Sequence, residues 1–115
     1  MARQTLLDLH TTVVVVGTLK QLVNRRDSAV TGVSAKDGKA RRVKGVIGRT
    51  ANTGYFLGLL DGEDVFSANG LIINAFTEMI PVDIAVPAGM ELGFYFMSES
   101  GTALVSLSVL VEEPE

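Results

Sequence analysis

The chain reads as an all-β protein, a sandwich or barrel of antiparallel strands. Three observations carry that expectation. Strand-length apolar runs in the second half are separated by turn residues at intervals of about 8 to 12 positions, the spacing of small all-β folds. Val13-Val14-Val15-Val16 is a β-branched run closed by Gly17, which suits a buried strand better than a helix. Ile80, Val82, Ile84 and Val86 alternate strictly with Pro81, Asp83, Ala85 and Pro87, so one face of that strand is apolar.

Length is consistent with this. With 115 residues, of which 47% are hydrophobic, the chain suits a single domain with a real core. Residues 1–9 are expected to form an N-terminal arm. Residues 18–26 are the best helix candidate, because Leu19, Leu22 and Val23 sit at helical spacing and Thr18 with Gln21 resembles a capping box. Nine residues are short for a helix, so a strand competes closely there. Ala29 to Ser34 and Ala40 to Ile47 flank Asp37-Gly38, which predicts a β-hairpin, since Asp-Gly is a favoured type I′ pair.

Further strands are expected at Tyr55 to Leu60, Leu71 to Phe76, Ile80 to Val86, Met90 to Met97 and Ala103 to Val111. Pro81 and Pro87 place the Ile80 strand at a sheet edge, where a missing amide donor is tolerated. Residues 112–115 read as a solvated tail. No apolar run reaches the roughly 18 residues of a membrane span, and Met1-Ala2-Arg3 opens no secretory signal, so no membrane association is expected.

Charge is divided sharply along the chain. All ten basic residues lie in residues 1–50 with only Asp8, Asp27 and Asp37 against them, giving that half +7. The other ten acidic residues fall after position 50, where there is no lysine or arginine, giving −10. Such a split favours either an electrostatic partner or strands that interleave and mix the charges on folding. Lys36, Lys39, Arg41, Arg42 and Lys44 are the densest basic group and the candidate site for an anionic or acidic partner. No aromatic residue interleaves with them, so the stacking used by single-strand nucleic-acid binders is missing.

Several strands are apolar on both faces. Tyr55-Phe56-Leu57 and Phe94-Tyr95-Phe96 are the clearest cases, and a lone sandwich should show one polar face per strand. Tyr55, Phe56, Phe94, Tyr95 and Phe96 are therefore the candidate oligomer interface, and a second copy of the chain is the expected cover.

Chemistry is sparse, and no enzyme activity or cofactor is expected. His10 is the single histidine, and no Gly-x-Ser-x-Gly elbow accompanies it. Asp61, Glu63 and Asp64 cluster around Gly62 but lack the spaced ligands of a calcium loop, so no metal site is expected. Zero cysteines exclude disulfides and thiolate zinc sites. Gly54 and Gly58 lack the Lys-Ser/Thr of a phosphate loop.

The stretch from Asn69 to Glu113, with Ile80-Pro81-Val82-Asp83-Ile84-Ala85-Val86-Pro87-Ala88-Gly89-Met90-Glu91-Leu92-Gly93-Phe94 and Ser98-Glu99-Ser100-Gly101-Thr102, resembles the closing strands of small viral jelly-roll proteins, the minor capsid and decoration proteins of tailed phages. The resemblance lies in strand-and-turn texture and carries over no functional residue. It implies an antiparallel sandwich of jelly-roll type and a structural role in a virion. The resulting expectation is a homo-oligomeric assembly protein that docks on like subunits or a capsid lattice, located in the virion if viral and otherwise in the cytoplasm. The alternative is a small β-barrel binding module for an anionic ligand such as nucleic acid or a glycan.

Overall fold

A computed structural model describes residues 3–11, 17–50, 54–69, 79–99 and 105–113. Ten strands run in chain order: β1 (Arg3–Thr11), β2 (Leu19–Gln21), β3 (Val23–Asn24), β4 (Gly32–Ser34), β5 (Arg41–Thr50), β6 (Gly54–Leu60), β7 (Glu63–Asn69), β8 (Ile80–Val86), β9 (Glu91–Ser98) and β10 (Val105–Glu113). They form two antiparallel sheets packed as a sandwich. Sheet A has the order β3-β1-β10-β5-β8, and sheet B has the order β2-β9-β6-β7 with β4 also paired to β9. The all-β expectation holds.

Pairing is nested. β1 pairs with β10, β2 with β9, β5 with β8 and β6 with β7, so early strands meet late ones. Two lateral contacts, β10 with β5 and β9 with β6, join these pairs into the sheets.

The core lies between the sheets and takes alternate residues from each strand. Val105, Leu107, Val109 and Val111 of β10 face Leu92, Phe94 and Phe96 of β9, and Leu9, Val43, Val46 and Phe56 complete the centre. The rings of Phe56 and Phe96 meet edge to face at 4.9 Å, and those of Phe66 and Phe94 at 6.3 Å. Removing each such side chain from water contributes about 1.5–3 kcal/mol. Among the described residues β8 is the last strand of sheet A, a place where Pro81, which has no amide hydrogen to donate, is tolerated.

Four expectations are corrected. Residues 18–26 form no helix but two short strands, β2 on β9 and β3 on β1. Leu22 between them is fully buried and donates its amide to the Phe94 carbonyl at 2.9 Å, so the open edge of β9 satisfies backbone groups that a two-turn helix would leave unpaired. The strands flanking Asp37-Gly38 do not pair with each other, because β4 joins sheet B and β5 joins sheet A. Only Gly38 takes a positive φ (87°), which rules out a type I′ turn, and its amide bonds the Ala35 carbonyl at 3.0 Å. Residues 3–9 are no arm but most of β1, paired from Arg3 opposite Glu113 onward. Glu112 and Glu113, expected in the tail, are half-buried members of β10.

One strand was missed. β7 is entered through Asp61 and Gly62, whose φ values of 46° and 88° are the two positive angles a type I′ turn needs. The Val13–Val16 and Leu71–Phe76 strands lie outside the described residues.

Candidate functional site

The basic group comes first, because the sequence singles it out. Its five members lie on the turn after β4 and on β5, but they are not a free cationic surface. Arg41 donates to both oxygens of Asp37 at 2.7 and 2.9 Å and to the Lys39 carbonyl at 2.9 Å. Its Nε also lies 3.8 Å from Glu113, which pairs with Arg3 at 2.9 Å. Arg42 donates to Asp83 at 2.8 Å, and Lys44 approaches the same carboxylate at 3.6 Å. Lys36 lies 3.7 Å from Glu91. Lys39 makes no ion pair among the described residues.

These pairs set the local electrostatics. The hydrogen bonds from Arg41, helped by the Lys39 amide, hold the Asp37 carboxyl far below the usual carboxylate range. The same contact raises the Arg41 guanidinium further, against the effect of its burial. Arg42 and, secondarily, Lys44 lower Asp83. Asp83 reaches both cations because β8 carries a bulge there: Val43 pairs with Ile84 and Gly45 with Pro81, so Val82 and Asp83 together oppose Lys44. The charge split in sequence is thus mixed in space, with Asp83, Glu91 and Glu113 of the acidic half neutralising bases of the first half.

The aromatic candidates divide by strand alternation. Phe56, Phe94 and Phe96 are fully buried between the sheets and cannot contact a second subunit, which corrects the interface expected from sequence. Tyr55 and Tyr95 point the other way and are half-buried on the outer face of sheet B. Register extends that face in rows: Leu19 beside Met97 and Tyr55, then Gln21 beside Tyr95 and Leu57, then Gly93 beside Leu59. The Tyr55 hydroxyl donates to Met97 Sδ at 3.1 Å. Among the described residues every strand belongs to one of the two sheets, and the large apolar residues of this face are half-buried. Leu19, Leu57, Leu59 and Met97 were not singled out from sequence, although i, i+2 spacing from Tyr55 and Tyr95 marks three of them.

The outer face of sheet A is different. It carries Asp8, His10, Ser106, Ser108 and Arg42 together with exposed Leu6 and half-buried Ile47 and Leu110, so it mixes polar and apolar groups. His10 sits in register with Val23 and Ser106, and its Nδ1 is buried without a hydrogen-bond partner. Beside it, a hollow of about 490 Å³ is lined by Leu6, Asp8, Asn24, Arg25 and Arg26, where Arg25 already pairs with Asp8 at 3.1 Å. The acidic turn residues are tied into the backbone: Asp61 accepts the Glu91 amide at 3.0 Å and Asp64 the Phe66 amide at 3.3 Å. Among the described residues no cluster of His, Asp or Glu is arranged to hold a metal, and no helix is long and apolar enough to cross a membrane.

The chain matches no known protein-family model, and no curated protein matches it. The outer face of sheet B is therefore the candidate site on physical grounds.

Proposed function

We propose that this chain is a non-enzymatic structural protein that assembles with copies of itself, as a jelly-roll subunit of a virion capsid or its decoration. The observation that carries the reading is the outer face of sheet B, where Leu19, Tyr55, Leu57, Leu59, Tyr95 and Met97 form one continuous apolar surface. A sheet face of that kind is stable in water when a second surface covers it, and a symmetric copy is the commonest cover. The nested order β1-β10-β5-β8 over β2-β9-β6-β7 supports a jelly roll, a long antiparallel hairpin of eight strands wound into two sheets. That architecture agrees with the resemblance of residues 69–113 to viral shell proteins.

The anion-binding alternative is weakened by the ion pairs. Four of the five candidate cations already face a carboxylate of the same chain, so phosphate binding would first have to break those contacts. The test is the native mass of the purified chain by light scattering. A stable oligomer supports assembly. A monomer at all concentrations up to the millimolar range overturns it.

A further inference from the structure

The outward edge of β1 has the form of a strand-binding site. β10 covers one side of β1 from Arg3 to Thr11, but β3 covers the other side only at Leu9 and His10. The Arg25 amide then bonds the Asp8 carbonyl at 3.0 Å. That contact fixes which backbone groups face outward. Alternate residues of a strand turn amide and carbonyl to the same side, so Gln4 and Leu6 point theirs, like Asp8, away from β10. Among the described residues no strand meets them. Gln4 is exposed, and Leu6 at 62% is the most open large hydrophobic side chain among the described residues.

The other edges are guarded. β8 carries Pro81 and a bulge at Asp83, and β7 has a bulge beyond Gly58 with exposed Glu63 and Asp64. β2 and β4, on the outer side of β9, have three residues each. Prolines, charges, bulges and short strands of this kind keep an edge from pairing with another chain. Between Arg3 and Leu7, β1 has no proline, lysine or bulge, and its register with β10 is unbroken.

Hollows lie on both faces of this edge. On the inner side one of about 240 Å³ is lined by Thr5, Leu7, Val30 and Val33, and on the outer side one of about 490 Å³ by Leu6, Asp8 and Asn24. An added strand sends alternate side chains to the two faces, so each hollow has something to receive.

The five-residue window is its own complement. Laid antiparallel on itself about Thr5, it sets Gln4 opposite Leu6, Arg3 opposite Leu7 and Thr5 opposite Thr5. The outward amides and carbonyls of both copies then all find partners, no charge lies opposite a like charge, and the threonine pair is a favourable one. Resting on the assembly reading, we infer that two copies of the chain join through β1. A two-fold axis passes beside Thr5 and makes one continuous sheet of the two sheets A, with the same patch used on both copies.

Sedimentation and cross-linking test this. Gln4→Pro removes an amide that points away from β10 and should weaken self-association by at least about tenfold, since each copy loses a hydrogen bond. Gln4→Ala keeps that amide and should associate like the wild type, and circular dichroism should show the same β content in both. Thr5→Cys should form an intermolecular disulfide in air, because residues opposed in a non-hydrogen-bonded pair have Cα atoms about 4.5 Å apart, within disulfide range. The chain has no other cysteine, and Val65→Cys, on β7 and 41% exposed, reports random collision. Should Gln4→Pro lose β content, the two cysteine variants decide alone. If the wild type associates but Gln4→Pro matches it, or Thr5→Cys links no faster than Val65→Cys, this pairing is overturned and the assembly reading stands. A wild type that stays monomeric overturns both.

Discussion

Arg41 and Asp37 are joined by two parallel hydrogen bonds, Nη1 to Oδ1 at 2.7 Å and Nη2 to Oδ2 at 2.9 Å, which tie the turn after β4 to the first residue of β5. The carboxyl is held far below its ordinary value of 3.8, first by Arg41 and then by the Lys39 amide. A group whose folded-state pKa is depressed contributes stability above its unfolded pKa and loses it as pH falls through the folded one. Asp37→Asn should therefore lower the urea midpoint at pH 7, and the gap to wild type should narrow as pH drops below 3.8. Denaturation curves at pH 7 and pH 2 check this. Asp83→Asn should behave alike, because Arg42 lowers Asp83 in the same direction.

Reversing Arg41 and Arg42 to glutamate should damage the subunit rather than the assembly. Both guanidinium groups face carboxylates of their own chain, and the Arg41 side chain is only 16% exposed. The double variant should lose on the order of 5 °C in Tm, as weak surface pairs turn into like charges. Its native mass should match the wild type. A Tm unchanged within error would show that these pairs do not hold the turn.

Phe96 and Tyr95 are neighbours with opposite fates. Phe96 is fully buried against Phe56, so Phe96→Ala should cost about 3–5 kcal/mol, read from urea unfolding of the isolated subunit. Tyr95→Ser lies on the outer face and should change subunit stability by less than about 1 kcal/mol while reducing self-association. Equal losses in stability would mean that both faces of sheet B are buried within one chain.

Gly32 and Gly38 should respond differently to alanine. A Cβ on Gly32 would fall against the carbonyl oxygen of Leu92, which is backbone and cannot swing aside, so β4 must separate from β9. At Gly38 the surroundings are open and only the positive φ of 87° matters, a cost of about 1 kcal/mol. Thermal melts of the two single variants should rank Gly32→Ala clearly lower.

Local pattern carried some of this fold and misled in other places. Alternation in Ile80–Val86 and the proline within it pointed to the strand that ends sheet A among the described residues, since burial on one face and a missing donor are properties of single residues. Asp-Gly occurs twice and means two things: Asp61-Gly62 closes a hairpin between β6 and β7, whereas Asp37-Gly38 hands the chain from one sheet to the other. The dipeptide encodes a bend, and the partners of the flanking strands are decided by distant residues. Helical spacing at Leu19, Leu22 and Val23 lost to the open edge of β9 for the same reason. At the candidate site, two-faced strands were visible as composition. Which of Phe94, Tyr95 and Phe96 looks outward follows only once register is known. The basic group stood out because Asp83, Glu91 and Glu113 are far away in sequence, though close in space.

The nested pairing has a kinetic consequence. Arg3 is aligned with Glu113 and Thr11 with Val105, so the first strand closes against the last. Loops of that length are entropically costly to close, and sheets dominated by such contacts form slowly. β1 leaves the ribosome long before the β10 it pairs with, and β2 must wait in the same way for β9. Among the described strands, only β6 with β7, joined by a two-residue turn, has its partner at hand. That hairpin is the natural seed from which the rest winds outward, and until β10 arrives the apolar inner face of sheet A stays open to aggregation.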